Sequence, residues 1–109
     1  MKHIIGEYNE FIPNKGFGRM VDSFQKNTYN NQKLIVNYLN QGKTICVQAG
    51  KVVDIITGKK TTLTGKVQTD GKYMWFNEIA YYIEKYNLRL PEDIEEYILG
   101  KTDEKSQSN

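Results

Sequence analysis

The sequence predicts an α+β fold: an antiparallel β-meander of three to five strands packed by one long N-terminal helix and two short C-terminal helices. Three observations predict it. Apolar residues recur at helical spacing after Arg19, β-branched residues dominate the middle third, and two more helical stripes follow. The 109 residues suffice for one domain, which we place at residues 1–100, and the apolar-free segment 101–109 predicts a disordered tail.

The N-terminal third is predicted to be a short strand or extended arm, a turn and then the long helix. The helix is predicted from apolar residues at three- and four-residue steps, namely Met20, Val21, Phe24, Thr28, Ile35, Tyr38 and Leu39. The polar stretch Asn27–Asn31 is a poor helix interior, which allows a break and a restart with Asn27 or Thr28 as the cap. Gly42 is predicted to end the helix.

The middle third is predicted to form the sheet. The runs Thr44–Gln48 and Val52–Thr57 are rich in β-branched residues and flank Ala49-Gly50-Lys51, which we interpret as a hairpin loop. Gly58-Lys59-Lys60 then turns the chain into a further strand over Thr61–Thr69.

Asp70-Gly71 predicts a second hairpin, because a two-residue type I′ turn needs positive φ at both central positions and Asp-Gly tolerates that. In the strand that follows, alternation sends Tyr73 and Trp75 to one face and Met74 and Phe76 to the other. We therefore expect a central strand whose faces are both partly covered. The alternative is an exposed Tyr73/Trp75 face that would serve as a protein-binding hot spot.

The last third predicts two short helices. Asn77 can cap a helix from Glu78 to about Asn87. Pro91 suits the first position of the next helix, and Gly100 is expected to end that helix.

Composition excludes several function classes. One cysteine, Cys46, and one histidine, His3, cannot supply a disulfide framework or a Cys/His zinc site. A net charge of +2 with only two arginines, Arg19 and Arg89, does not indicate nucleic-acid binding. No apolar run reaches the roughly 20 residues that span a bilayer. We expect a cytoplasmic protein with no membrane contact and no direct nucleic-acid partner.

No pattern of catalytic residues is visible, so we predict no enzyme, no catalytic residue, no cofactor and no metal. His3 lies beside a chain end, and Cys46 sits between Ile45 and Val47 in a strand, which predicts a buried and inert thiol. Gly16-Phe17-Gly18 has only a weak similarity to a phosphate-binding turn. If that turn binds phosphate, Lys15 and Arg19 would supply the countercharge.

Charge is segregated along the chain. Residues 1–77 carry 11 basic and 5 acidic side chains, whereas residues 78–109 carry 4 basic and 8 acidic ones. The basic residues of the predicted sheet fall mainly at strand ends and turns, and they are Lys43, Lys51, Lys59, Lys60, Lys66 and Lys72. Such lysines either protect sheet edges from aggregation or contact a partner.

Two segments of the C-terminal half resemble small bacterial immunity proteins of polymorphic toxin systems, including those of contact-dependent growth inhibition. These segments are Thr69-Asp70-Gly71-Lys72-Tyr73-Met74-Trp75 and Ala80-Tyr81-Tyr82-Ile83-Glu84-Lys85-Tyr86-Asn87-Leu88-Arg89-Leu90-Pro91. The resemblance implies a non-enzymatic protein that binds a toxin domain, commonly a nuclease, over or near its active site.

We therefore expect a protein that neutralises a cognate toxin domain by stoichiometric binding. Its partner-binding residues are predicted to be four carboxylates that pair with basic toxin residues and two aromatic anchors: Glu92, Asp93, Glu95, Glu96, Tyr81 and Tyr97. The alternative is a phage-type protein that sequesters a small ligand or a nucleotide signal through Lys15 and Arg19.

Overall fold

The computed structural model describes residues 3–12 and 18–107. Four strands and three α-helices form an α+β fold, as predicted. In chain order, the elements are β1 (His3–Ile4), a 3-10 turn (Met20–Ser23), α1 (Gln32–Asn40), β2 (Lys43–Val53), β3 (Lys60–Thr69), β4 (Tyr73–Phe76), α2 (Glu78–Tyr86) and α3 (Glu92–Gln107).

The sheet is mixed, with the order β1-β4-β3-β2. Strands β2, β3 and β4 form an antiparallel meander, but β1 pairs with β4 in the parallel direction, with His3 opposite Tyr73 and Ile4 opposite Met74. The prediction of a purely antiparallel sheet was therefore wrong. The central position of β4 is confirmed, and β2 forms one edge of the sheet.

Strand β2 is continuous, which corrects the predicted hairpin loop at Ala49-Gly50-Lys51. The register shifts between Val47 and Lys51, so the extra residues form a bulge, and Gly50 takes a positive φ of 81° within it. The strand predicted over Val52–Thr57 was wrong beyond Val53, where β2 ends. The turn into β3 follows Asp54, whose backbone N–H donates to the carbonyl of Lys59, and it includes Gly58 and Lys59 of the predicted turn. A glycine between two β-branched runs indicates a bulge or a turn, and the pattern alone does not separate them.

The hairpin predicted at Asp70-Gly71 is confirmed, but its turn is not type I′. Gly71 has a positive φ of 101°, whereas Asp70 is not among the described residues with positive φ. The Asp70 side chain instead accepts hydrogen bonds from the backbone N–H groups of Lys72 and Tyr73, at 3.0 and 2.8 Å. A side-chain cap of this kind stabilises a longer loop between β3 and β4.

The long N-terminal helix is not present. The predicted segment contains the 3-10 turn and, after an irregular stretch, the nine-residue helix α1. Neither Asn27 nor Thr28 caps α1; the residue before it is Asn31, which has a left-handed φ of 69° and makes no side-chain cap hydrogen bond. Asparagine tolerates this conformation, but an α-helix cannot continue through it.

The C-terminal helices differ from the prediction in length and in capping. Asn77 precedes α2 as predicted, but its side chain bonds to the carbonyl of Thr64 and the N–H of Lys66 instead of capping the helix. Gly100 does not end α3, which at 16 residues is the longest helix. The tail predicted at residues 101–109 thus begins inside a helix, and residues 108–109 lie outside the described residues.

The core is built around Trp75, which is 1% exposed, as the core interpretation of this strand predicts. Its indole N–H donates to the carbonyl of Leu39 at 3.3 Å, which joins β4 to the end of α1. Gly42 passes so close to the ring that a Cβ at this position would lie 2.5 Å from it. The apolar core then continues along α2 through Ile79 and Ile83.

Candidate functional site

A buried carboxylate, Asp54, ties the β2–β3 turn to helix α2. The Asp54 side chain is 2% exposed, and its Oδ2 accepts hydrogen bonds from the hydroxyls of Tyr81 (2.6 Å) and Tyr86 (2.7 Å). The Lys85 ammonium lies 3.4 Å from the same oxygen and donates to the Tyr81 hydroxyl at 3.1 Å. We call these four residues the Asp54 cluster.

The other oxygen of Asp54 holds the turn itself. It accepts hydrogen bonds from the backbone N–H groups of Ile56 and Thr57, at 2.8 and 3.1 Å. Burial by itself would raise the pKa of this carboxyl group, but the hydrogen bonds from Tyr81, Tyr86 and the two amides outweigh burial and hold the pKa well below its usual value. Asp54 is therefore a charged, fully bonded anchor and has no oxygen left for a substrate.

A second cluster has the same design at the opposite end of β3. Asp70 Oδ2 accepts hydrogen bonds from the hydroxyls of Tyr38 on α1 (2.5 Å) and Tyr97 on α3 (2.7 Å). Burial acts to raise the pKa of Asp70, and the bonds from Tyr38, Tyr97, Tyr73 and Lys72 lower it more strongly. The Asp70 cluster, which is Tyr38, Asp70 and Tyr97, thus joins two helices to one turn.

The two predicted aromatic anchors lie in different clusters. Tyr81 and Tyr97 are both half-buried, and each hydroxyl donates to a carboxylate of this chain. The Tyr97 ring also packs edge-on against Tyr73, with centroids 4.8 Å apart. The structure therefore gives each ring a role within the fold and does not bring the two together.

The four predicted carboxylates separate into one buried residue and three exposed ones. Glu95 is 7% exposed, pairs with Arg89 at 2.6 Å and accepts a hydrogen bond from the backbone N–H of Leu90. It holds the link between α2 and α3. The exposed carboxylates lie in the first turns of α3, and they are Glu92, Asp93 and Glu96.

Gly16 and Phe17 of the weak phosphate-binding pattern lie outside the described residues, but the backbone N–H groups that follow Gly18 can be described. The backbone N–H groups of Met20 and Val21 donate to the two carboxylate oxygens of Glu10, at 2.8 and 3.3 Å. Those amides are thus occupied by an anion of the chain itself. Arg19 pairs with Asp22, and Lys15 lies outside the described residues.

Cys46 is exposed, so the prediction of a buried thiol was wrong. Its partner across the sheet is Val67, which pairs in turn with Phe76. Because β2 forms the edge of the sheet, the end of this row is open to solvent. Ile45 and Val47 on either side of Cys46 are exposed as well, and the sequence does not show which strand stands at an edge.

The feature that sequence reasoning missed is the outer edge of β2. Ten of its eleven residues are exposed, and no described strand pairs with its outer side. Large exposed apolar side chains concentrate on β2 and the turn after it, namely Ile45, Val47, Val53, Ile55 and Ile56. We call these five residues the β2 edge surface. The other large apolar side chain among those found exposed is Leu34 on α1.

The run of β-branched residues was visible in the sequence and predicted a strand. Only the sheet order shows that this strand has one neighbour and that its apolar side chains stay in water. The long β2 therefore combines unpaired backbone groups with apolar side chains, and edge strands of this type are the usual sites of strand pairing with another chain.

The described residues contain neither a membrane-spanning helix nor a metal-binding cluster. No described helix has the length and hydropathy needed to cross a bilayer. Within residues 3–12 and 18–107, no three His, Cys, Asp or Glu side chains come together as a metal site would require. No family model, curated protein or solved structure matches this chain.

Proposed function

We propose that this chain acts by binding another protein in a stoichiometric complex and that it has no catalytic activity. The observation that carries the proposal is the β2 edge surface. It places Ile45 and Val47, which are 49% and 61% exposed, on a strand with whose outer side no described strand pairs. A partner that covers this surface would remove apolar area from water and pair with the backbone groups of that side at once.

The polar clusters support binding over catalysis. General acid–base chemistry needs a titratable group within reach of a substrate. Both oxygens of Asp54 and of Asp70 already accept hydrogen bonds from tyrosine hydroxyls or turn amides. These carboxylates consequently act as internal anchors in the proposed function.

The more specific proposal is that the partner is a bacterial toxin domain, commonly a nuclease, neutralised in the cytoplasm of the cell that makes it. Its support is the resemblance of residues 69–75 and 80–91 to immunity proteins. The exposed carboxylates Glu92, Asp93 and Glu96 add a negative patch that would steer a basic nuclease toward the complex.

Co-expression with the toxin domains encoded beside the gene for this chain tests the proposal. We expect one of them to co-purify at a 1:1 ratio and its growth inhibition to be relieved by this chain. Val47→Glu should reduce both effects, whereas Leu34→Glu, which adds the same charge at an exposed apolar position outside the edge, should not. Failure of every candidate domain to form a complex would overturn the proposal.

A further inference from the structure

We propose that the partner contributes an extended, acidic segment that pairs with Lys43–Gln48 of β2 as a fifth strand of the sheet. This inference rests on the proposed function and names the mode of recognition and the chemistry of the partner. It is carried by the unpaired edge and by the charges that border it.

Backbone geometry defines where such a strand can add. On an edge strand, alternate N–H and C=O groups point away from the neighbouring strand and are free to pair with another chain. The register shift between Val47 and Lys51 and the positive φ of Gly50 distort β2 beyond Gln48. An added strand of typical length therefore fits along Lys43–Gln48. A smaller register shift lies within this stretch, between Thr44 and Cys46.

Charge defines what the added strand carries. Between residues 43 and 60 the chain has four lysines and one acidic residue, and that residue is the buried Asp54. The lysines are Lys43, Lys51, Lys59 and Lys60. None of them forms an ion pair with a described residue. Their positive potential attracts carboxylates and repels a basic strand.

The same charges disfavour a second copy of this chain as the occupant. A second β2 strand would bring Lys43 and Lys51 of its own to this edge and no exposed carboxylate, so it would add positive charge to an edge that already carries two lysines. An acidic partner strand has no such penalty, because its carboxylates would face these lysines.

The apolar side chains define the apolar part of the partner. Ile45 and Val47 are exposed on the stretch that would pair, and cross-strand contacts between β-branched side chains stabilise a sheet. We therefore expect the partner segment to combine β-branched or aromatic residues with Asp or Glu.

Selection from a displayed random peptide library against the full chain tests this inference. We expect enrichment of extended peptides that combine acidic with β-branched or aromatic residues, and at least tenfold weaker binding of the selected peptide to the Val47→Glu and Lys43→Glu variants. Leu34→Glu, the matched control on α1, should bind as the unchanged protein does. Binding should also weaken as salt is added, because the lysine contacts are screened.

N-methylation of the selected peptide separates strand addition from other modes. Methyl groups on the alternate amides of one edge should abolish binding, and methyl groups on the opposite edge should leave it unchanged. Enrichment of basic or helical peptides, no enrichment, or equal tolerance of both methylation patterns would overturn the inference. So would a stable homodimer, measured by sedimentation, that Val47→Glu dissociates.

The failure of strand addition and the failure of the proposed function can be told apart. A toxin complex that forms at a 1:1 ratio but is insensitive to Lys43→Glu and to competition by the selected peptide would overturn strand addition and leave protein binding intact. Absence of any toxin complex would overturn the proposed function even if acidic peptides bind.

Discussion

The Tyr81 hydroxyl donates a hydrogen bond to the Asp54 carboxylate, 2.6 Å away, and so joins helix α2 to the turn that follows β2. Tyr86, five residues further along α2, donates to the same oxygen. This contact fixes the far end of the β2 edge surface, because Ile55 and Ile56 belong to the turn that Asp54 holds.

Asp54→Asn should destabilise the protein. The amide nitrogen of asparagine donates hydrogen bonds and accepts none. Whichever way the amide is turned, either the two tyrosine hydroxyls or the two turn N–H groups lose their acceptor, and the free energy of unfolding should fall by about 2 kcal/mol. Urea denaturation measures this. Glu84→Gln, at an exposed position on α2, is the control and should change stability little.

The same variant should also change the acid dependence of stability. Because the folded-state pKa of Asp54 is lowered, its contribution is complete above the unfolded-state pKa of about 3.9 and is lost as pH falls toward the folded-state pKa. The unchanged protein should lose stability below about pH 4, and Asp54→Asn should lose less over that range. Parallel acid profiles for the two proteins would contradict the assignment of a charged anchor.

Alkaline pH should destabilise the protein through its buried tyrosines. The pKa is raised to about 12 for four tyrosines, and burial is the largest cause in each. They are Tyr8, Tyr29, Tyr82 and Tyr97. Since the unfolded chain loses these protons near pH 10, stability should be intact below that pH and should fall between about pH 10 and 12. Urea midpoints measured across this range should fall less for Tyr97→Phe.

Gly42→Ala should destabilise the core, because the added Cβ would lie 2.5 Å from the Trp75 ring. Overpacking of this kind costs about 1–3 kcal/mol. Gly100→Ala is the matched control: a Cβ there meets nothing within 4 Å, and the residue lies within α3, where alanine is the better helix former. In thermal denaturation, the melting temperature should be lower for Gly42→Ala and higher for Gly100→Ala than for the unchanged protein.

Glu95→Gln should destabilise the protein. Glu95 pairs with Arg89 and accepts a hydrogen bond from the backbone N–H of Leu90, in the link before α3. We expect a loss of about 1–2 kcal/mol in chemical denaturation. Glu96→Gln, next to it but exposed, should be neutral for stability. Equal stability of the two variants would show that the Arg89–Glu95 ion pair does not support the link.

The sequence predicted correctly those elements that depend on residues close to one another in the chain. Thr44–Gln48 and Thr61–Thr69 lie in strands as predicted, Asp70-Gly71 lies in a hairpin turn, and Asn77 and Pro91 mark the starts of the last helices. The errors arose where a distant contact decides the outcome. Glu10 binds the amides of Met20 and Val21 in a 3-10 turn, and nothing within the helical pattern after Arg19 indicates that contact.

The candidate site was the least predictable part. Exposure of Ile45, Cys46 and Val47 depends on the sheet order, which the sequence does not encode in any local motif. The roles of Tyr81 and Tyr97 likewise depend on Asp54 and Asp70, each 27 residues away in the chain. A tyrosine pattern alone suits an exposed anchor and a bonded core position equally.

The central claim is that this chain inhibits a toxin domain by binding to its surface. Titration of the toxin domain's activity with this chain tests it. At toxin concentrations far above the dissociation constant, activity should fall linearly and reach zero at one equivalent of the chain, and Val47→Glu should weaken the inhibition. Complete inactivation by a small fraction of an equivalent would show that this chain acts as a catalyst and would contradict the account.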